Sequence, residues 1–327
     1  MKSIDPNALS RGRVACLARR CLAWVLAGSA LLALAQGSGE YQKFHRNPDI
    51  ANAAYGPDAR NILDLWQAPS AKPTPLVFYI HGGGFNSGSK DRLSPVLLRL
   101  CLDAGISVGA INYRLTKTAP FPAAMHDGAR AVQFYRHQAR AWNLNPRAIG
   151  ATGGSAGGTL SLWLAFHDDF AEPTATDPVR RHSTRLAAVA IQTAPTTMDP
   201  RAMETIAGPL ASRHPILEPF FGAKISEWET PAVIRLFEDS SPYTHLTKDD
   251  PSPFLYYSGP WKLPANPNAG QAIHATAFGT YLREKADRIG VPVTFKQGDD
   301  YDRSKWEELL YRDMVAYFKV RFASGKP

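Results

Sequence analysis

Ser155 stands in Gly153-Gly154-Ser155-Ala156-Gly157-Gly158, between a strand-like run at Ala148 to Thr152 and a helix-like run from Thr159 to Phe166. A serine hydroxyl is a weak nucleophile until a base takes its proton and donors stabilise the oxyanion that its attack creates. The flanking small residues permit a turn too tight for side chains, and a helix starting there aims its amides and positive dipole end at developing negative charge. A second glycine run, His81-Gly82-Gly83-Gly84-Phe85, leaves another strand-like segment at Pro75 to Ile80. Gly83, Gly84 and Ala156 are therefore the expected oxyanion donors, with His81 bracing the loop rather than moving protons. A glycine-rich strand-to-helix turn can also bind phosphate. Against that, the chain lacks a Gly-Lys-Ser/Thr ending, and the glycine spacing does not fit a dinucleotide turn. The base is harder to place, because no histidine follows His274.

The elements that must hold these residues alternate. Strand patterns at Asn61 to Trp66 (a short edge strand), Pro75 to Ile80, Ile106 to Asn112, Ala148 to Thr152, Leu186 to Gln192, Pro253 to Tyr257 and Val291 to Lys296 are separated by helix patterns. The helices are expected at Leu93 to Leu102, Ala123 to Trp142, Thr159 to Phe166, Ala272 to Ile289 and Trp306 to Phe322. This predicts an α/β chain with a mostly parallel sheet covered on both faces. Residues 194–240 break the alternation with six prolines among Met, Phe, Trp and Leu, and read as a cap of short helices inserted in a single domain at 36–327. Phe85, Phe220, Phe221, Trp228 and Trp261 are candidates for an apolar substrate wall.

Taken together, His81 to Phe85, Asn112-Tyr113-Arg114-Leu115, Pro122, Asp127 and Gly153 to Gly158 make the chain resemble the α/β-hydrolase superfamily from about Asn61 to Phe322. More narrowly it is similar to hormone-sensitive lipase and small bacterial carboxylesterases, with a relationship to the acetyl- and feruloyl-esterase-like branch. The resemblance implies a serine carboxylic-ester hydrolase acting through an acyl-enzyme, with Asp127 structural. It also implies an aspartate after the penultimate core strand and a histidine after the last. This chain instead has Ser258-Gly259-Pro260-Trp261 after the first of these and Gln297-Gly298-Asp299-Asp300-Tyr301 after the second. The two departures are complementary and suggest an exchanged triad of Ser155, His274 and Asp300, with Asp299 the alternative carboxylate. His245 is a rival base. A chain with no competent base would be a binding protein using the same cleft, and a peptidase is a third reading without a recognisable amine-recognition cluster.

Residues 1–35 combine Arg11, Arg13, Arg19 and Arg20 with an apolar run from Cys21 that ends in Ala33-Leu34-Ala35, the pattern of a secretory signal. The expected location is secreted or periplasmic, with no stable membrane anchor, since the run is short for a transmembrane helix. Loss of that segment would take the formal charge from +8 to +4 and leave Cys101 as the single cysteine. The basic balance is then no argument for nucleic acid, and Arg180, Arg181 and Arg185 lack interleaved aromatics. Cys101 lies in an apolar helical pattern and reads as buried rather than nucleophilic. No cofactor and no metal are expected, because His126, His137, His167, His182 and His214 show no ligand spacing and paired cysteines are lacking. The expected partner is a small-molecule or carbohydrate-linked ester.

Overall fold

In the computed structural model, residues 41–324 are described. The secretory signal expected at 1–35 lies outside them. The chain divides into a unit at residues 1–45, of which only 41–45 are described, and a unit at 46–327 that carries everything below.

Eight strands form one sheet: β1 (Ile50–Ala54), β2 (Ile62–Trp66), β3 (Thr74–Ile80), β4 (Ser107–Ile111), β5 (Leu144–Gly154), β6 (Ala188–Gln192), β7 (Phe254–Tyr257) and β8 (Thr294–Gln297). Their order is β1-β2-β4-β3-β5-β6-β7-β8, parallel from β4 through β8, with β1 and β2 antiparallel at one side. The segment at Asn61 to Trp66 is therefore not the edge. The sequence IANAA of β1 carries little hydrophobic signal, yet it pairs outside β2 and takes that place.

Helices α1 (Pro95–Asp103), α2 (Ala123–His137), α3 (Ala156–Phe166), α10 (Ala277–Ile289) and α11 (Trp306–Ala323) pack on the sheet. Register shows that both faces are covered. Phe78 lies beside Gly109 and Ala151, and the Tyr135 ring of α2 occupies the space a side chain at Gly109 would need. Val77 lies beside Gly150 on the opposite face, where Phe318 of α11 fills the equivalent space. This is the α/β-hydrolase fold, and small residues in the central strands let the covering helices approach closely.

Between β6 and β7 the chain builds a cap from α4 (Pro200–Ala207), α5 (Pro209–Ser212), α6 (Leu217–Phe221) and α7 (Pro231–Ser240), followed by α8 (Pro242–His245). Proline occupies the first turn of α4, α5, α7 and α8, where its missing N–H costs nothing.

The helix expected over Ala272 to Ile289 is two helices. Asn268 and Gln271 form a reciprocal cap that starts α9 (Ala269–Ile273) early. The chain then turns at His274, and Thr276 Oγ1 donates to the Gly259 carbonyl before α10 begins. Cys101 is buried in α1, and burial pushes its thiol up to about 12, so it remains protonated and inert. Among the described residues, no helix is long and apolar enough to cross a membrane.

Candidate active site

Ser155 stands between the end of β5 and the start of α3 with φ 53° and ψ −128°, a backbone conformation that non-glycine residues rarely adopt. Its amide donates to the Gln192 and Thr193 carbonyls, which pins the turn to β6. A Cβ on Gly157 would lie 2.0 Å from the Ile80 carbonyl oxygen, so the elbow closes only with glycine there.

The loop after β3 is equally constrained. Gly83, Gly84 and Phe85 all have positive φ, of 110°, 59° and 58°. The buried His81 ring holds this loop from below: Nδ1 donates to the Gly82 carbonyl at 2.8 Å, and the ring stacks on Tyr113 at 4.2 Å. Arg60 Nη2 approaches its Nε2 at 3.3 Å, and burial pushes the imidazole down to about 4, which keeps it neutral. Arg114 and the buried Asp127 form a paired contact in which the carboxylate also accepts the Arg114 amide. This fastens the exit of β4 to α2, a structural task.

The turn between α9 and α10 brings His274 to the serine, with Ser155 Oγ 2.7 Å from His274 Nε2. On the far side of the ring, Nδ1 lies 2.8 Å from the Gly270 carbonyl. A carbonyl only accepts, so Nδ1 carries the proton and Nε2 presents its lone pair to the serine hydroxyl. Burial pushes the His274 pKa down, and the Gly270 contact opposes this in part. The imidazole is thus neutral near pH 7 and able to take a proton.

The expected carboxylate is not behind this histidine. Asp300 turns its carboxylate back onto the Gln297 amide at 2.8 Å, capping a short turn, and Asp299 is exposed, with Arg303 3.9 Å away. Asp300 is thus occupied locally and Asp299 points to solvent, while Gly270 occupies the orienting position beside Nδ1. His245 donates from Nε2 to the Asp239 carbonyl at 2.7 Å, in a different part of the molecule.

A cavity of about 420 Å³ opens over Ser155, lined by Gly83, Gly84, Ala156 and His274 together with Met198, Ile216 and Ile273. Of the aromatics expected to form its wall, only Phe85 lines it. Phe220 and Phe221 are buried, with Phe220 packed on Phe85 at 4.8 Å and Phe221 on Phe237 at 4.7 Å. Trp228 joins the same cluster, which ties the cap to the glycine loop after β3. Trp261 is 55% exposed and stacks on Phe295 instead.

Sequence reasoning missed His214, Met198, Ile216 and Ile273. His214 Nδ1 accepts the Ile216 amide at 3.3 Å, so the cap contributes a second imidazole to the cavity. A prolyl residue after His214 and its place in the cap were the only sequence signals. A smaller cavity of about 260 Å³ adjoins His274 and Gly270 and is lined by Thr193, Ser258, Asn268 and Gln271.

The profile of the family described as BD-FAE matches residues 63–260, from β2 through the elbow and cap to the turn after β7. The chain belongs to the BD-FAE family. Among curated relatives, "Probable carboxylic ester hydrolase LipM" of Mycobacterium tuberculosis is 28% identical over 67% of this chain and 48% of its own length. Esterase LipQ of the same organism is 26% identical over 78% of this chain and 57% of its own. The chain thus spans about half the length of the curated relatives it matches. A solved carbohydrate esterase from gut microbiota superposes with a TM-score of 0.66 at 19% identity, covering 84% of this chain and 95% of that one. An acetyl ester-xyloside bifunctional hydrolase from Caldicellulosiruptor lactoaceticus gives 0.61 at 21% identity, over 78% and 88%. For this BD-FAE member, these two likenesses establish a shared fold.

Proposed function

We propose that this chain is a serine carboxylic-ester hydrolase acting through an acyl-enzyme on Ser155, and that it requires no metal for that step. The observation that carries the reading is the 2.7 Å contact between Ser155 Oγ and the lone-pair nitrogen of His274. Ser155 Oγ attacks the ester carbonyl carbon as its proton passes to His274 Nε2. The resulting imidazolium is steadied by the Nδ1–H to Gly270 contact, and the carbonyl oxygen becomes an oxyanion facing the amides of Gly83, Gly84 and Ala156. Collapse breaks the ester C–O bond, and the alcohol leaves with the proton from Nε2. Water then attacks the acyl carbon, gives its proton to Nε2 and releases the acid, and Ser155 Oγ recovers its proton.

Met198, Ile216 and Ile273 suit a short acyl group, and the polar cavity beside His274 suits a hydroxylated alcohol. Two fold neighbours are named for carbohydrate esters, which supports an acylated carbohydrate as substrate. A place in the group similar to hormone-sensitive lipase, and export of the chain through a signal at 1–35, belong to the same reading and rest on the sequence patterns given above.

One observation favours a second reading, a ligand-binding relative with weak or no turnover: the histidine is oriented by a carbonyl rather than a carboxylate. Hydrolysis of p-nitrophenyl acetate, measured beside Ser155→Ala and with fluorophosphonate labelling, separates the two. Turnover and labelling that vanish in the variant support the esterase. No turnover and no labelling in the parent chain would leave the binding protein.

A further inference from the structure

The opposite end of α3 carries a second histidine assembly that the ester chemistry does not use. His167 follows the last residue of α3, Asp239 lies in the last turn of α7, and His245 ends α8. His167 and Asp239 are 72 residues apart in sequence, yet His167 Nε2 is 3.4 Å from Asp239 Oδ1, and His245 Nε2 is 3.7 Å from the same oxygen. One ligand atom from each of the three residues falls within 4.8 Å of the others. The edge of a tetrahedron with metal–ligand bonds of about 2.1 Å is about 3.4 Å, close to the two separations that Asp239 Oδ1 makes with the imidazoles.

The surroundings of His167 fix how its ring is set toward the cluster. Its Nδ1 faces the Asp168 carbonyl at 3.1 Å and its Nε2 faces the Asp239 carboxylate, so both nitrogens meet acceptors. Either a second ring proton or a metal ion between Nε2 and the carboxylate satisfies this arrangement, and the convergence of His245 on the same carboxylate oxygen favours the ion. With Nδ1–H held by the carbonyl, the Nε2 lone pair is aimed as a metal ligand, the usual outer support for a ligating histidine. The His167 ring is backed by Trp163, centred 4.2 Å away, and by Phe170 at 4.6 Å, which fixes its orientation.

We propose that His167, Asp239 and His245 form a site for one zinc-class divalent cation, with water completing the coordination. Binding requires His245 to move its proton to Nδ1 and give up its Nε2 bond to the Asp239 carbonyl. That carbonyl keeps its bond from Trp163 Nε1, so no buried acceptor is orphaned. The ion would clasp the end of α3 to the segment where the chain returns from the cap. The site stands independently of the proposed ester hydrolysis.

The test is calorimetric titration of the chelator-stripped chain with Zn2+, repeated on Asp239→Asn, His245→Gln and His182→Gln. The last removes the partner of His137, whose rings form a separate surface pair. We expect one ion per chain, bound roughly 100-fold more weakly in Asp239→Asn and His245→Gln and unchanged in His182→Gln. Zn2+ should also raise the Tm of the parent chain and not that of Asp239→Asn. Should a variant fail to fold, Co2+ added to the parent chain provides the second readout, with intense visible bands of four-coordinate geometry that Zn2+ abolishes. No saturable binding, binding that survives Asp239→Asn, or weak six-coordinate bands would overturn the site.

Discussion

Helix α3 ends in histidine contacts at both termini, and the two differ in what each imidazole faces. At the N-terminal end, His274 has a hydroxyl on Nε2 and a carbonyl on Nδ1, without a carboxylate. At the C-terminal end, His167 has a carboxylate on Nε2 and a carbonyl on Nδ1, without a nucleophile. Both rings have one nitrogen fixed by the backbone, so the partner of the other nitrogen determines what each can do. A hydroxyl there makes a base, whereas an ionised carboxylate makes a cation site. Burial lowers the His274 pKa, which keeps its Nε2 lone pair available to the serine.

The largest effect that could break this contrast is loss of the pair at Ser155. Ser155→Ala and His274→Ala should each lower kcat on aryl esters by about 10^4-fold or more, and the double variant should be little worse than either. Steady-state kinetics would show this, and a His274→Ala enzyme with near-normal turnover would remove His274 from the proton path. Next in size is the aromatic cluster of the cap. Phe221→Ala empties a site packed by Phe220, Phe237 and Trp228 and should cost about 3 kcal/mol or more in urea unfolding.

A smaller effect concerns pH. The proposed mechanism uses the neutral form of His274, whose pKa is lowered, so kcat/KM should hold as pH falls through 6.5 and decline only at more acid pH. A midpoint above 6.5 in the pH profile would contradict the burial argument. The smallest effect sharpens the contrast most: Asp300→Asn should leave kcat within about twofold, because the carboxylate only caps its own turn. A loss of about 10^3-fold or more would instead restore a carboxylate to the site.

The turns at Ser155 and after β3 were legible because their geometry excludes side chains, and a sequence records that as glycine. His274 was legible through its place after β7 and the lack of any later histidine. Its orienting partner was not, since a main-chain carbonyl leaves no residue-type signature. Asp300 attracted attention as a carboxylate after β8, although capping a turn and supporting an imidazole demand the same side chain. Phe220, Phe221 and Trp228 looked like a substrate wall because composition does not distinguish the inside of a cap from its underside. The cluster at His167, Asp239 and His245 followed no ligand spacing, because the cap folds back on α3 and brings distant positions together. Strand β1 was missed because its pairing with β2 rests on backbone bonds and few apolar side chains.

The Gly270 carbonyl has a consequence for how such a site can change over generations. An orienting aspartate can be deleted by a single substitution, whereas a peptide oxygen is present whichever residue is encoded at position 270. Single substitutions therefore disturb it chiefly by moving where α9 starts, as loss of the Asn268 and Gln271 cap would do. The heritable vulnerability of this histidine lies in the length and phase of a five-residue helix rather than in the identity of a third side chain.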